Sequence, residues 1–253
     1  MANVLAGNHL GHPPVWNPVS FACSTPLPLP IVAECSQMME SFHHQTTPFH
    51  RATNVMQASQ TAVVLIEFQN EFCKDGGKLF DAVKDEIARL DTVGHAVELA
   101  EKAREKGCLV IHCPFVFDQP WTEEHCVCGI IADAANDGAF RPGDWGTELI
   151  EELAPVEGDV VLSGKHALSG FTNTGLHEIL EQHDIKNVAI AGFLSNVCVE
   201  STARSAYDRG YRVQVIHDAV AATSEANQQY VEREIYPHLG GSTTVAEFVE
   251  QLK

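Results

Sequence analysis

"NVAIAGFLSNVCVESTARSAYDRGYRVQVIHD", residues 187–218, reads as strand, helix, strand. Its two ends, "NVAIAG" and "RVQVIHD", are short apolar runs carrying Val188, Ile190, Val213, Val215 and Ile216, the pattern of buried strands. Between them Ala203, Ala206 and Tyr207 recur at helical spacing, and Gly210 closes the segment. A strand, a helix and a second strand in succession imply parallel pairing through a right-handed crossover.

The same alternation extends outward in both directions. "TAVVLIEF" (61–68), "CLVIHC" (108–113) and "DVVLS" (159–163) are three further strand candidates, and "STTVA" (242–246) is a sixth. Val93, Ala96, Val97, Ala100 and Ala103 mark a helix that ends at Gly107, and Leu176, Ile179 and Leu180 mark another. Strict alternation of this kind predicts an α/β protein: a three-layer α/β/α sandwich around a mostly parallel, six-stranded, Rossmann-like sheet.

Composition limits what such a domain can do. The chain has 253 residues, 45% of them hydrophobic, enough for one large domain with a substantial core. Lys and Arg number 16 against 34 Asp and Glu, so the formal charge is −18; nucleic acid and anionic membrane surfaces are not expected partners. No apolar run approaches the roughly 18 residues needed to span a bilayer. Eight cysteines follow no disulfide framework, which points to a reducing, cytoplasmic compartment. "HC" (112–113) and "HCVC" (125–128) contain zinc-ligand types, but C-x-C lacks the two-residue spacing of structural sites and no second ligand pair follows. No metal is expected.

Residues 1–58 differ from the rest, holding 7 of the 12 prolines and 5 of the 13 histidines with little charge and no periodicity. They read as a poorly ordered N-terminal arm preceding a domain at 59–253, with "PLPLP" (26–30) favouring polyproline II. The arm lacks the basic start and long apolar stretch of a secretory signal; organelle targeting by it stays open.

Ligands of open parallel sheets bind beyond the carboxyl ends of the strands. Glu67 ends the first strand, Lys165 follows the "DVVLS" strand, and Cys198 follows "NVAIAG", so three reactive residues fall on one edge. A carboxylate after "VVLI" needs a cation to remain charged when buried, and Lys165 is positioned to supply it. Cys198 opens the segment "CVESTARSAYDRG", where a helix start is expected to depress its thiol pKa.

Four ordered segments, "VVLIEFQNEF" (63–72), "GKHALSGFTNTGL" (164–176), "AGFLSNVCVESTARSA" (191–206) and "DAVAATS" (218–224), resemble the isochorismatase-like cysteine hydrolases. That family includes nicotinamidases, N-carbamoylsarcosine amidases and ureidoacrylate amidases, and the likeness runs from about residue 61 to 227. It implies a triad of Glu67, Lys165 and Cys198. It also implies a cis peptide between Phe193 and Leu194 and an oxyanion hole formed by the N–H groups of Leu194 and Cys198.

Two departures stand out. The family's first acid is usually Asp, one methylene shorter than Glu67. The Asp-x-His metal segment of nicotinamidases is not reproduced in "HCPFVFDQPWTEEH" (112–125).

The resemblance implies hydrolysis of a small-molecule amide, ureide or carbamoyl compound through a thioester, without a cofactor, by a homo-oligomer of two or more chains. Phe72, Trp121, Trp145, His166 and Phe171 are candidate pocket residues. Two alternatives remain: vinyl-ether hydrolysis of the isochorismate-cleaving type, against which Cys198 argues, and a non-catalytic, redox-responsive or scaffolding role.

Overall fold

A computed structural model describes residues 55–117 and 128–253. Trp121 and most of "HCVC" lie outside the described residues. The strands are β1 (Thr61–Ile66), β2 (Leu109–Cys113), β3 (Val160–Val161), β4 (Asn187–Phe193), β5 (Arg212–Ala221) and β6 (Ser242–Thr243). They form one sheet in the order β3-β2-β1-β4-β5-β6, and all five pairings are parallel. The expected three-layer α/β fold is therefore observed, with a sheet that is wholly rather than mostly parallel.

The helices that cover this sheet are α1 (Phe80–Leu90), α2 (Thr92–Lys106), α3 (Gly129–Asn136), α4 (Leu176–Gln182), α5 (Glu200–Asp208), α6 (Glu225–Tyr230) and α7 (Val245–Gln251). Alternation along β1 assigns α2, α4, α5 and α7 to a face. Val63 and Leu65 point into a core shared with Leu99, Ala100 and Ala103 of α2 and Phe248 of α7. Ala62, Val64 and Ile66 point into a second core with Leu176 and Leu180 of α4 and Ala203 and Ala206 of α5. Helix α2 stops where expected: Gly107 takes φ 85, and its N–H reaches the carbonyls of Ala103 and Arg104.

At the other end of the chain, Thr244 and Glu247 form a capping box on α7, while both carboxylate oxygens of Asp218 accept the Val245 N–H at 3.1 Å. Met56 bridges Leu252, and Met56 and Ala58 are buried. The folded domain thus includes Met56 and Ala58, at the compositional break near 58. Among the described residues no helix is long and apolar enough to cross a membrane.

Candidate active site

Three strands end together. Ile66 of β1 is in register with Cys113 of β2 on one side and Gly192 of β4 on the other, which aligns their carboxyl ends. Close approach requires glycine at 192: its φ is 125, and a Cβ there would lie 2.0 Å from the Ile66 carbonyl oxygen. Immediately beyond Ile66 the backbone turns left-handed at Glu67, φ 58, an uncommon conformation for a side-chain-bearing residue and one concentrated at functional sites.

Glu67 and Lys165 are only 2% and 1% exposed. Lys165 Nζ donates to Glu67 Oε1 at 2.5 Å and to the Ala167 carbonyl at 2.7 Å, and lies 4.6 Å from the centre of the Phe115 ring. Burial works to discharge this lysine, but the charge and hydrogen bond of Glu67 together with the neighbouring Cys198 and Cys113 outweigh it and hold the ammonium above its ordinary pKa. The pair is a fixed, fully desolvated ion pair.

Cys198, 6% exposed, lines a cavity together with Glu67, Phe72, Leu194 and Val197. It sits inside a single π-helical turn, Ser195–Val199, one turn before α5 begins at Glu200. The expectation that a helix start depresses its thiol pKa is reversed: burial raises it well above the ordinary value, the Glu67 charge adds to the rise, and Lys165 opposes it only in part. The peptide between Phe193 and Leu194 is cis.

Residues after Glu67 build the wall of the cavity. Buried Gln69 donates to the carbonyls of Phe115 and Thr147 and accepts the Phe115 N–H, cross-linking three loops. Glu71, also buried, accepts the backbone N–H groups of Phe140 and Lys78. Phe115 and Phe140, 5.0 Å apart, join Phe72 in an aromatic wall. These two phenylalanines were not singled out from the sequence, because they lie 43 and 68 residues beyond Phe72 and only loop closure brings them together.

Of the pocket candidates, Phe72 lines the cavity and three others do not. Trp145 is 48% exposed and packs near Gly76. His166 bonds the Gly164 carbonyl and Asn173. Phe171 stacks on Tyr211 and Arg209 against the opposite core. Each is occupied by a local partner that sequence proximity to a motif does not reveal.

The neighbours His112 and Cys113 do not form a ligand pair, because successive strand residues face opposite ways. His112 bonds Asp159 at 3.0 Å, and Asp159 is also paired with Arg104; burial holds this imidazole below its ordinary pKa. Cys113 joins the core beneath the site, and burial pushes its thiol up to about 12. Among the described residues no cluster of three or more His, Cys, Asp or Glu is arranged to hold a metal ion.

A chain with this sheet and sequence has counterparts among known proteins. The isochorismatase domain model matches residues 61–247, so the chain belongs to the isochorismatase family of hydrolases. It is 30% identical over 209 residues to a ureidoacrylate amidohydrolase (RutB) of Azorhizobium caulinodans, covering 75% of this chain and 88% of that protein. Among solved structures, a cysteine hydrolase from Pseudomonas syringae pv. phaseolicola is similar with TM-score 0.68 and 29% identity, over 78% of this chain and 94% of the other. N-carbamoylsarcosine amidase from Thermoplasma acidophilum is similar with TM-score 0.57 and 31% identity, over 75% and 97%.

Proposed function

We propose that this protein hydrolyses a small amide, ureide or carbamoyl compound through a thioester on Cys198. The observation that carries the reading is the buried Glu67–Lys165 ion pair beside a buried thiol, at the bottom of a cavity. Amidohydrolase activity in the names of similar proteins supports the same bond class.

A thiol whose pKa is raised must lose its proton as it attacks, and Glu67 is the acceptor. Sγ adds to the carbonyl carbon, and the resulting oxyanion is held by the N–H groups of Leu194 and Cys198. Glu67 then passes the proton to the departing nitrogen, the C–N bond breaks, and an acyl thioester remains. Water enters and gives a proton to Glu67 as it attacks the acyl carbon. The C–S bond breaks, the acid leaves, and Cys198 recovers its proton. Lys165 stays charged throughout, keeping Glu67 oriented and offsetting the negative charge that develops beside it.

A panel of small amides and ureides scored for released ammonia tests this. Wild type should turn over at least one member, and mass spectrometry with a slow substrate should find the acyl group on Cys198. Replacement Cys198→Ala should abolish turnover with the melting temperature changed by only a few degrees. An acyl group on another residue, or undiminished turnover by Cys198→Ala, overturns the assignment.

A further inference from the structure

The turn that carries Cys198 is held by side chains at two of its backbone carbonyls. Inside it, the Leu194 carbonyl accepts the N–H groups of Val197 and Val199 at 3.0 and 3.1 Å. Towards its end the Cys198 carbonyl accepts the hydroxyl of Thr202 at 2.7 Å, four residues on, the ordinary back-bond of a helical threonine. At its start the Ser195 carbonyl accepts the phenol hydroxyl of Tyr236 at 2.9 Å, and no local habit of the chain explains this bond, because 41 residues separate the partners.

Tyr236 opens the short 3-10 turn Tyr236–Leu239, and its ring is fully buried in the core that also holds Val199 and Ala203. Phenylalanine fills the same volume, whereas a phenol enters such a core only against the cost of drying its hydroxyl. Packing therefore accounts for the ring and not for the oxygen. Burial, with the charges of Glu232 and Glu200, lifts the phenol well above its ordinary pKa, so the group remains a donor. Ser195 is itself fully buried, and its own hydroxyl finds no hydrogen-bond partner among the described residues; a side chain reaches this residue through its carbonyl.

We infer that Tyr236 is a positioning residue: its hydroxyl fixes the Ser195 carbonyl, and with it the turn that sets the Cys198 sulfur and the N–H groups of Leu194 and Cys198 against the carbonyl under attack. The inference rests on the amide-hydrolase reading for the reaction that this turn serves. Leu194 directly precedes Ser195 and Cys198 follows three residues later, so a swing of the Ser195 peptide displaces the sulfur and both N–H groups. The aromatic wall of Phe72, Phe115 and Phe140 belongs to the opposite core, and Tyr236 does not line the cavity. Loss of the hydroxyl therefore acts on the chemical step and not on binding.

Tyr236→Phe removes the oxygen alone. On an amide or ureide that the wild type turns over, kcat should fall about tenfold to a hundredfold with KM within about twofold, since a displacement on the order of 1 Å is enough. Alkylation of Cys198 by iodoacetamide, read by peptide mass spectrometry, should slow by about fivefold as the sulfur leaves its alignment with Glu67. Thr244→Ala opens the capping box of α7, which packs in the opposite core, and supplies a variant of lowered stability whose kcat and alkylation rate should equal those of the wild type. Placing 4-aminophenylalanine at position 236 keeps the shape and a weaker donor, and should restore part of the lost kcat.

Undiminished kcat in Tyr236→Phe, a loss carried by KM, or an equal loss of kcat in Thr244→Ala overturns the inference and leaves the amidase reading intact. If the wild type turns over no amide or ureide, the amidase reading falls, and alkylation decides the role of Tyr236 separately. Slower labelling of Cys198 in Tyr236→Phe than in Thr244→Ala then sustains it, and equal labelling ends it. Should Tyr236→Phe not fold, the 4-aminophenylalanine variant takes its place: reduced kcat at constant KM, or reduced labelling, sustains the inference, and wild-type values end it.

Discussion

Glu67 carries more constraints than any other side chain in the site: a left-handed backbone, near-complete burial, and a bond to a lysine that has no access to water. Where the family usually has the shorter Asp, the longer arm here reaches Lys165 from a turn placed directly after β1. Glu67→Asp should withdraw the carboxylate by on the order of 1 Å and lower kcat/KM by about a hundredfold, with the fold kept. Glu67→Ala should do worse on both counts. It removes the proton acceptor, and it leaves the Lys165 ammonium buried without its partner, a loss of about 3–5 kcal/mol when one half of a buried pair is deleted. Burial then acts on Lys165 without the opposition of the carboxylate and drives it towards the neutral amine. Chemical denaturation and ammonia-release kinetics read the two effects; near-normal turnover by both variants would remove Glu67 from the chemistry.

At the scale of elements, the site exists because β1, β2 and β4 stop together and β4 lies against β1 without a side chain between them. Gly192→Ala places a methyl group 2.0 Å from the Ile66 carbonyl oxygen, a steric clash in a backbone region that favours glycine, so β4 must move. Stability should fall by more than about 2 kcal/mol, and activity should fall further than stability alone explains, because Phe193, Leu194 and Cys198 follow that strand end directly. A variant with wild-type melting and turnover would show that the contact is easily relieved. The start of the domain offers a second test. Residues 1–54 hold 7 of the 12 prolines and show no helical or strand periodicity, so their removal should preserve the melting temperature, whereas removal through Ala58 also deletes buried Met56 and its pairing with Leu252. The longer deletion should cost about 2–5 kcal/mol, the range for loss of a buried large apolar side chain. Equal stability of the two truncated chains would place the true edge later.

For the molecule as a whole, buried thiols and a buried phenol set its response to alkali. Burial pushes Cys108 up to about 11 and Cys113 up to about 12, and raises Cys198 and Tyr236 as well. Below the ordinary thiol pKa of 9.0 both folded and unfolded chains keep these protons, and the contribution to stability is complete. Above it the unfolded chain releases protons that the folded chain retains, so unfolding gains ground until the folded values are passed. Lys165 acts in the same sense, since its ammonium is favoured by folding and is lost at still higher pH. The melting temperature should therefore fall steadily between pH 9 and 11, and a flat profile there would contradict the burial of these groups. On the acid side His112, held neutral, adds a decline as pH drops through 6.5, because the unfolded chain takes up a proton that the folded one resists.

Strand and helix positions were legible in the chain because period-2 and period-3.6 patterns are local: every strand read from β-branched runs is present, and Gly107 ends its helix as expected. The placement of Glu67, Lys165 and Cys198 along one edge was legible too, since a residue just after a buried strand lies at the carboxyl edge of a parallel sheet. Tertiary structure alone decided the rest. Whether the thiol pKa rises or falls depends on how deeply Cys198 is buried and on the carboxylate it faces, and these outweigh the nearness of a helix start. Which aromatics line the cavity depends on loops pinned by Gln69 and Glu71, so Phe115 and Phe140 enter it while Trp145, His166 and Phe171 find partners elsewhere. Elements follow from near neighbours in sequence, whereas burial and facing charge are properties of residues that only folding brings together.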